Sequence, residues 1–347
     1  MPNNFPYKLP RSDLELVVAQ CRAELAQLDG KITLITGGTG FIGRCLLESI
    51  LFAAEQLSIN PRIIVVSRDP TTFLKKYPWL DQPPLKFLQA DVTSVEISQS
   101  VDFIIHAATE TAAIHYQTAP RAMLQTAIKG TNRILEIAKK SPGSKVLFTS
   151  SGAVYGKNAG LDAAFSEDSV STLSTTDRTS AYGEGKRVSE MLGALAADEF
   201  GFEFIVARLF AFVGPYLPLD GHFAIGNFIG DGLHHDKITV KGDGTAIRSY
   251  MYSADLVIWL IKILFHGTPS SCYNVGSPEP VSIAELAGLV ARICEKEVEI
   301  MQTPKPNLVP ERYLPSVSKA ANELDLNLYH SLEDSISKTV LWHRQFT

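Results

Sequence analysis

A glycine-rich turn, Thr36-Gly37-Gly38-Thr39-Gly40-Phe41-Ile42-Gly43, follows the apolar run KITLIT and opens a stretch of helical periodicity from about Gly40 to Leu57. No other feature constrains the chain as strongly. Gly37, Gly40 and Gly43 fall in a G-x-x-G-x-x-G spacing, and each answers a separate demand: a tight turn, close approach of backbone to a pyrophosphate, and close packing of helix on strand. The N–H groups around Phe41 and Ile42 and the positive end of the helix then receive a diphosphate. A strand before and a helix after give the glycine triplet the context of a dinucleotide site. Gly-Lys-Ser/Thr is missing, which excludes an NTPase P-loop.

After this unit, short runs that are apolar throughout, RIIVVS, LKFLQAD, VDFIIHA and KVLFTS, are separated by longer stretches, including a helix from about Arg121 to Lys140. That pattern predicts a parallel sheet covered on both faces. The expected fold is α/β: a Rossmann-type doubly wound parallel sheet with a smaller C-terminal α/β substrate-binding lobe. The expected division is a helical extension over 1–29, a nucleotide-binding domain over 30–210 with returning segments near 238–275, and a lobe mainly over 211–347. In the extension, Leu14, Val17, Val18, Cys21, Leu25 and Leu28 recur at helical spacing, so the stripe covers either the main domain or a second subunit. Helices are expected near Phe223–Leu233, Ser253–Phe265 and Ser282–Lys296.

Charge and composition remove several classes. A net charge of −5 without a basic stripe argues against nucleic acid as a partner. The four cysteines lack Cys-x-x-Cys spacing and read as buried thiols of a reducing compartment. The N-terminus lacks a cationic stretch followed by an apolar one, and the most apolar run, Leu256–Phe265, falls short of the roughly 20 residues that span a bilayer. A soluble cytoplasmic protein with no membrane partner is expected. The histidines show no His-x-x-x-His pattern, so no metal site is expected; His106 ends the fourth strand, and His234 and His235 fall at a helix end.

The second strand ends Val66-Ser67-Arg68-Asp69. An acid there would accept the ribose 2′-hydroxyl of NAD, and a basic residue would receive the 2′-phosphate of NADP. Ser67 stands where the acid is expected, beside Arg68, which favours NADP over NAD; the alternative leaves Arg68 in solvent and gives the ribose to Asp69 or backbone. Asp91, ahead of Val92, suits either the adenine amino group or the cap of its own turn.

Further motifs follow in order: ADVTS, HAAT at 106–109, TSSGAVYG at 149–156, YGEGK at 182–186, RLFAFVGP at 208–215, GDGTAIRSY at 242–250 and YNVGS at 273–277. Together with the glycine turn they resemble the extended short-chain dehydrogenase/reductase superfamily, in its nucleotide-sugar epimerase/dehydratase branch. The resemblance implies a nicotinamide cofactor lined by Val92, Ala107, Ala108 and Thr109. Tyr182 and Lys186 lie four apart on a predicted helix and share one face. A tyrosine has a pKa of about 10, and a nearby ammonium favours the phenolate. By resemblance, Tyr182 removes a hydroxyl proton, Lys186 tunes it and holds the nicotinamide ribose, and Ser151 binds the reacting oxygen.

The resemblance also implies a nucleotide-diphosphate sugar substrate contacted by Asn227, Arg248 and Arg312, arginine being suited to phosphate by its planar fork. Related dehydratases and decarboxylases carry acids just after the catalytic Ser/Thr, where this chain has Gly152 and Ala153, and Ala211 replaces a usual asparagine. The leading expectation is therefore a nucleotide-sugar epimerase oxidising C4 transiently. The alternatives are a 4,6-dehydratase, decarboxylase or NADPH-dependent ketosugar reductase, with Glu110 or Glu184 as conceivable acids, a catalytically silent dinucleotide binder, or an oxidoreductase for a steroid-like or phenolic substrate, against which the arginines count. A homodimer through the helices 121–140 and 182–200 is expected by analogy.

Overall fold

The computed structural model describes residues 7–108, 118–157, 164–221, 223–305 and 309–346. Its centre is a parallel sheet formed by β1 (Ile32–Thr36), β2 (Arg62–Ser67), β3 (Leu85–Gln89), β4 (Phe103–His106), β5 (Lys145–Ser151) and β6 (Glu203–Leu209), with a seventh strand arriving from later in the chain. β1 and β4 are buried at every position, which is why their sequences show no polar alternation. The order runs β3-β2-β1-β4-β5-β6 and then the late strand. It reverses between β1 and β4, where Ile35 pairs with Val65 on one side and Ile105 on the other. The carboxyl ends of β1 and β4 border the crevice where ligands of such sheets lie.

Helices cover both faces. On one side α1 (Arg11–Gln20), α2 (Arg22–Ala26) and α3 (Phe41–Leu57) share an apolar core with a long buried helix, Ser253–His266. α4 (Pro70–Lys76) follows β2, capped by Asp69, which accepts from Thr72 N at 3.0 Å. On the other side α5 (Pro120–Lys139) and α6 (Ala181–Phe200) pack against each other and on Leu34, Ile104, Phe148 and Phe204. The stripe of the N-terminal helices thus covers the main domain. Charged pairs pin it there: Asp13 accepts from Tyr252 Oη at 2.6 Å and Lys338 Nζ at 2.7 Å, and Glu24 meets Lys262 and His266 at 2.7 Å each.

The remaining chain builds the lobe. β7 (Phe212–Val213), α7 (Ala224–His234), β8 (Lys237–Val240), β9 (Ile247–Arg248) and β10 (Met251–Tyr252) lead into α8 (Ser253–His266), which returns to the main core. β11 (Cys272–Val275) is the seventh strand, parallel to β6. β12 (Val281–Ser282), α9 (Ile283–Cys294), β13 (Glu297–Ile300), α10 (Ser318–Leu324) and α11 (Leu332–Phe346) complete it, with α9 held by a capping box of Ser282 and Glu285. Among the described residues no helix is long and apolar enough to cross a membrane.

Candidate active site

The glycine turn is fixed by contacts that only glycine permits. Gly37 has φ +75°, and a Cβ there would lie 2.4 Å from the Ala107 carbonyl oxygen; one on Gly43 would lie 2.3 Å from that of Gly37. A Cβ on Gly40 would meet only the Gly37 carbonyl oxygen, at 3.3 Å, so that face is otherwise open. Gly40 caps α3 without a side-chain bond, leaving the N–H groups of the first turn, around Phe41 and Ile42, to an outside acceptor. This cradle fits a diphosphate. Thr36 ties the end of β4 to it, its carbonyl and Oγ1 accepting from Ala107 N and Ala108 N at 3.1 Å each. Thr109 and Glu110 lie outside the described residues.

At the end of β2, Ser67 is buried and Arg68 exposed. Asp69 is exposed, and its Oδ1 caps α4. Asp91 caps its own turn, Oδ1 accepting from Thr93 N at 2.9 Å and Thr93 Oγ1 at 2.6 Å. Those bonds first, and the Arg68 charge to a smaller extent, hold its carboxyl below the usual range. Val92 packs against Gly130 of α5.

β5 delivers Ser151 to the same edge of the sheet. Its Oγ accepts from Ala153 N at 3.1 Å and caps the short turn Gly152–Tyr155. Glycines in YGEGK then bring α6 alongside: a Cβ on Gly183 would sit 2.5 Å from the Ala153 carbonyl oxygen, and Gly185 faces Leu124 and Ala127 of α5. Tyr182 is thereby set beside the turn after Ser151. One helical turn later Lys186 is buried, donating from Nζ to the Thr149 carbonyl at 2.7 Å and facing the Phe148 ring at 4.7 Å. Burial pulls its pKa down to about 7, against the opposing attraction of Glu190. His106, whose Nδ1 lies 2.7 Å from Thr36 Oγ1, is pushed down to about 3 by burial and then by the Lys186 charge, and is neutral at physiological pH.

Several residues to which the sequence assigned no role join this site. Glu190 takes Arg208 through Nε at 3.1 Å and Nη2 at 2.8 Å, and also accepts from Ser150 Oγ; Arg208 reaches on to Tyr155 Oη at 2.9 Å, bracing the end of β5. Tyr313 comes from the far end of the chain, and its hydroxyl stands over Gly152, where a Cβ would lie 2.4 Å away.

Arg248 and Arg312 arrive with Tyr313. Arg312 bridges Ile247 of β9, and Tyr313 N donates to the Ile247 carbonyl at 3.1 Å. Arg248 pairs with Glu311 at 2.7 Å, so an incoming phosphate would compete with a carboxylate already present. Asn227 is half-buried on α7, where it lines an open cleft of about 1690 Å³ with Arg44, Tyr77, Trp79 and Tyr216. Ser151, Tyr182 and Lys186 do not line that cleft.

Residues 33–276 match the profile of the NAD dependent epimerase/dehydratase family. The chain belongs to that family. Among relatives of this epimerase/dehydratase, UDP-glucuronic acid decarboxylase 6 of Arabidopsis thaliana is 31% identical over 292 residues, 84% of this chain and 82% of the relative. Similar solved structures include UDP-glucose 4-epimerase of Thermotoga maritima, with TM-score 0.77, 23% identity and coverage of 90% and 99% of the two chains. A second is UDP-glucuronic acid 4-epimerase of Bacillus cereus in complex with UDP-glucuronic acid and NAD, with TM-score 0.76, 22% identity and coverage of 91% and 100%. At those identities the two structures establish the fold alone, and it is the expected Rossmann-type one.

Proposed function

We propose that this epimerase/dehydratase family member is a nucleotide-sugar epimerase that oxidises a sugar hydroxyl, at C4, and returns hydride to the opposite face. The observation that carries the reading is the convergence of Ser151, Tyr182 and Lys186 beside a turn whose next residues, Gly152 and Ala153, provide no carboxylate. Nicotinamide dinucleotide, held at the glycine cradle by the backbone of Gly37, Gly40, Phe41, Ile42 and Gly43, supplies the hydride acceptor and donor. Tyr182 takes the hydroxyl proton and gives it back; Lys186, in its ammonium form, favours the phenolate. Ser151 donates a hydrogen bond to the reacting oxygen. Arg248, Arg312 and Asn227 hold the sugar nucleotide's phosphates. Ser67 and Arg68 favour NADP, whereas the Bacillus cereus neighbour was solved with NAD; the coenzyme that co-purifies decides between them.

A homodimer through α5 and α6 belongs to the same proposal. Val188, Met191 and Leu195 lie three and four residues apart on α6 and are 38%, 67% and 63% exposed, an apolar stripe on the helix that packs on α5.

Decarboxylation is the second reading, favoured by the Arabidopsis relative. Oxidising C4 of a sugar uronic acid makes a β-keto acid, which loses carbon dioxide without an added acid, so the missing carboxylates oppose it less than they oppose dehydration. Mass spectrometry and proton NMR of products from UDP-, GDP-, CDP- and dTDP-sugars, with and without NADPH, separate the outcomes. An isomer of unchanged mass supports the epimerase. Loss of carbon dioxide, loss of water or NADPH-dependent gain of hydrogen replaces it with a decarboxylase, dehydratase or reductase respectively.

A further inference from the structure

We propose that Tyr313 is a positioning residue that aims the Ser151 hydroxyl at the reacting oxygen. The inference rests on the reading of Ser151 as the donor to that oxygen and adds a residue which neither the motifs nor the expected substrate contacts include. A serine hydroxyl has one proton and two lone pairs. One lone pair of Ser151 is already taken by Ala153 N–H at 3.1 Å. The Tyr313 hydroxyl stands against Gly152, the residue between them, close enough that a Cβ on Gly152 would fall 2.4 Å from it. From there it donates to the second lone pair, and the Ser151 proton is left to point out of the turn.

The tyrosine is held in place independently of any ligand. Its N–H bonds the Ile247 carbonyl at 3.1 Å, its ring packs on Phe210 at 4.8 Å between centroids, and Phe165 closes the edge at 6.4 Å. Burial raises the phenol well above its ordinary pKa and keeps it protonated, although the neighbouring Ser151 hydroxyl works the other way. Gly152 therefore has a physical reason to lack a side chain: any Cβ would displace the hydroxyl that serves Ser151. The same backbone segment carries Arg312 and bridges to β9 with Arg248, so seating of a sugar nucleotide's phosphates on the arginines and aiming of the serine occur on one strand pair.

The test is a double-mutant cycle of Tyr313→Phe and Ser151→Ala on the full chain, reading coenzyme reduction in a single turnover with a nucleotide sugar. Tyr313→Phe is expected to slow reduction by about tenfold, the order of one lost hydrogen bond at a reacting group, with KM unchanged. In the Ser151→Ala background it is expected to add no further loss. An equal loss in both backgrounds, or no loss with Ser151 present, overturns the proposal. Because reduction precedes every outcome considered above, a product other than an epimer leaves this test intact. If the wild type reduces no coenzyme with any nucleotide sugar, the functional reading fails, and NMR of ring-labelled tyrosine decides Tyr313 separately. Its resonance, identified by its disappearance in Tyr313→Phe, moves on Ser151→Ala if the contact exists; an unmoved resonance overturns it.

Discussion

Burial of Lys186 beneath β5 costs it affinity for its proton, and the sign of the effect on stability follows. Its folded pKa, about 7, lies below the ordinary lysine value of about 10.4. Between those two pH values the unfolded chain holds a proton that the folded chain has released, so stability rises with pH across that window and is level and lower below it. Lys186→Met is expected to flatten that slope, as read from urea unfolding midpoints at several pH values. Tyr182→Phe is expected to cut turnover by roughly 10²–10⁴-fold, the range for a lost acid–base group, while leaving coenzyme bound. Tyr182, Lys186 and Ser151 stand out in the sequence as candidates because a four-residue spacing on a helix and a strand end are local facts. Tyr313 does not, because its approach to Ser151 depends on residues 311–313 pairing with β9, a contact between segments far apart in the chain. Likewise the Glu311 partner of Arg248 has no mark in the motif that suggested the arginine.

The elements divide in the same way. Strands buried on both faces and helices with one apolar stripe announce themselves by periodicity, and α3, α5, α7, α8 and α9 fall within a residue or two of where the pattern sets them. Which partner covers α1 was left open by its sequence, since a stripe records that something is covered and not what. Its answer comes from Asp13, whose bonds to Tyr252 and Lys338 tie it to two distant elements, β10 and α11. Leu14 is fully buried there, and Leu14→Ala is expected to cost about 2–5 kcal/mol in urea unfolding, the range for a core cavity; a loss no larger than that of a surface substitution would place α1 outside the cooperative core. On α6, Met191→Glu together with Leu195→Glu is expected to turn dimers into monomers in sedimentation velocity, with the fold retained by circular dichroism.

Across the whole molecule, the sheet and α6 supply the cradle and the three catalytic candidates, while the lobe returns through β9 and residues 311–313 to bring Tyr313 against Gly152. In the proposed reaction, the lack of a carboxylate at Gly152 and Ala153, where the two meet, favours return of the hydride over elimination of water. UDP-sugars carrying deuterium at C4 test this most directly, with UDP-glucose and UDP-glucuronic acid as the probes and mass spectrometry with NMR as the readout. The expected product is an isomer of unchanged mass, with deuterium retained at C4 in the opposite configuration. A product lighter by carbon dioxide or by water, with C4 unchanged or left as a ketone, would contradict it.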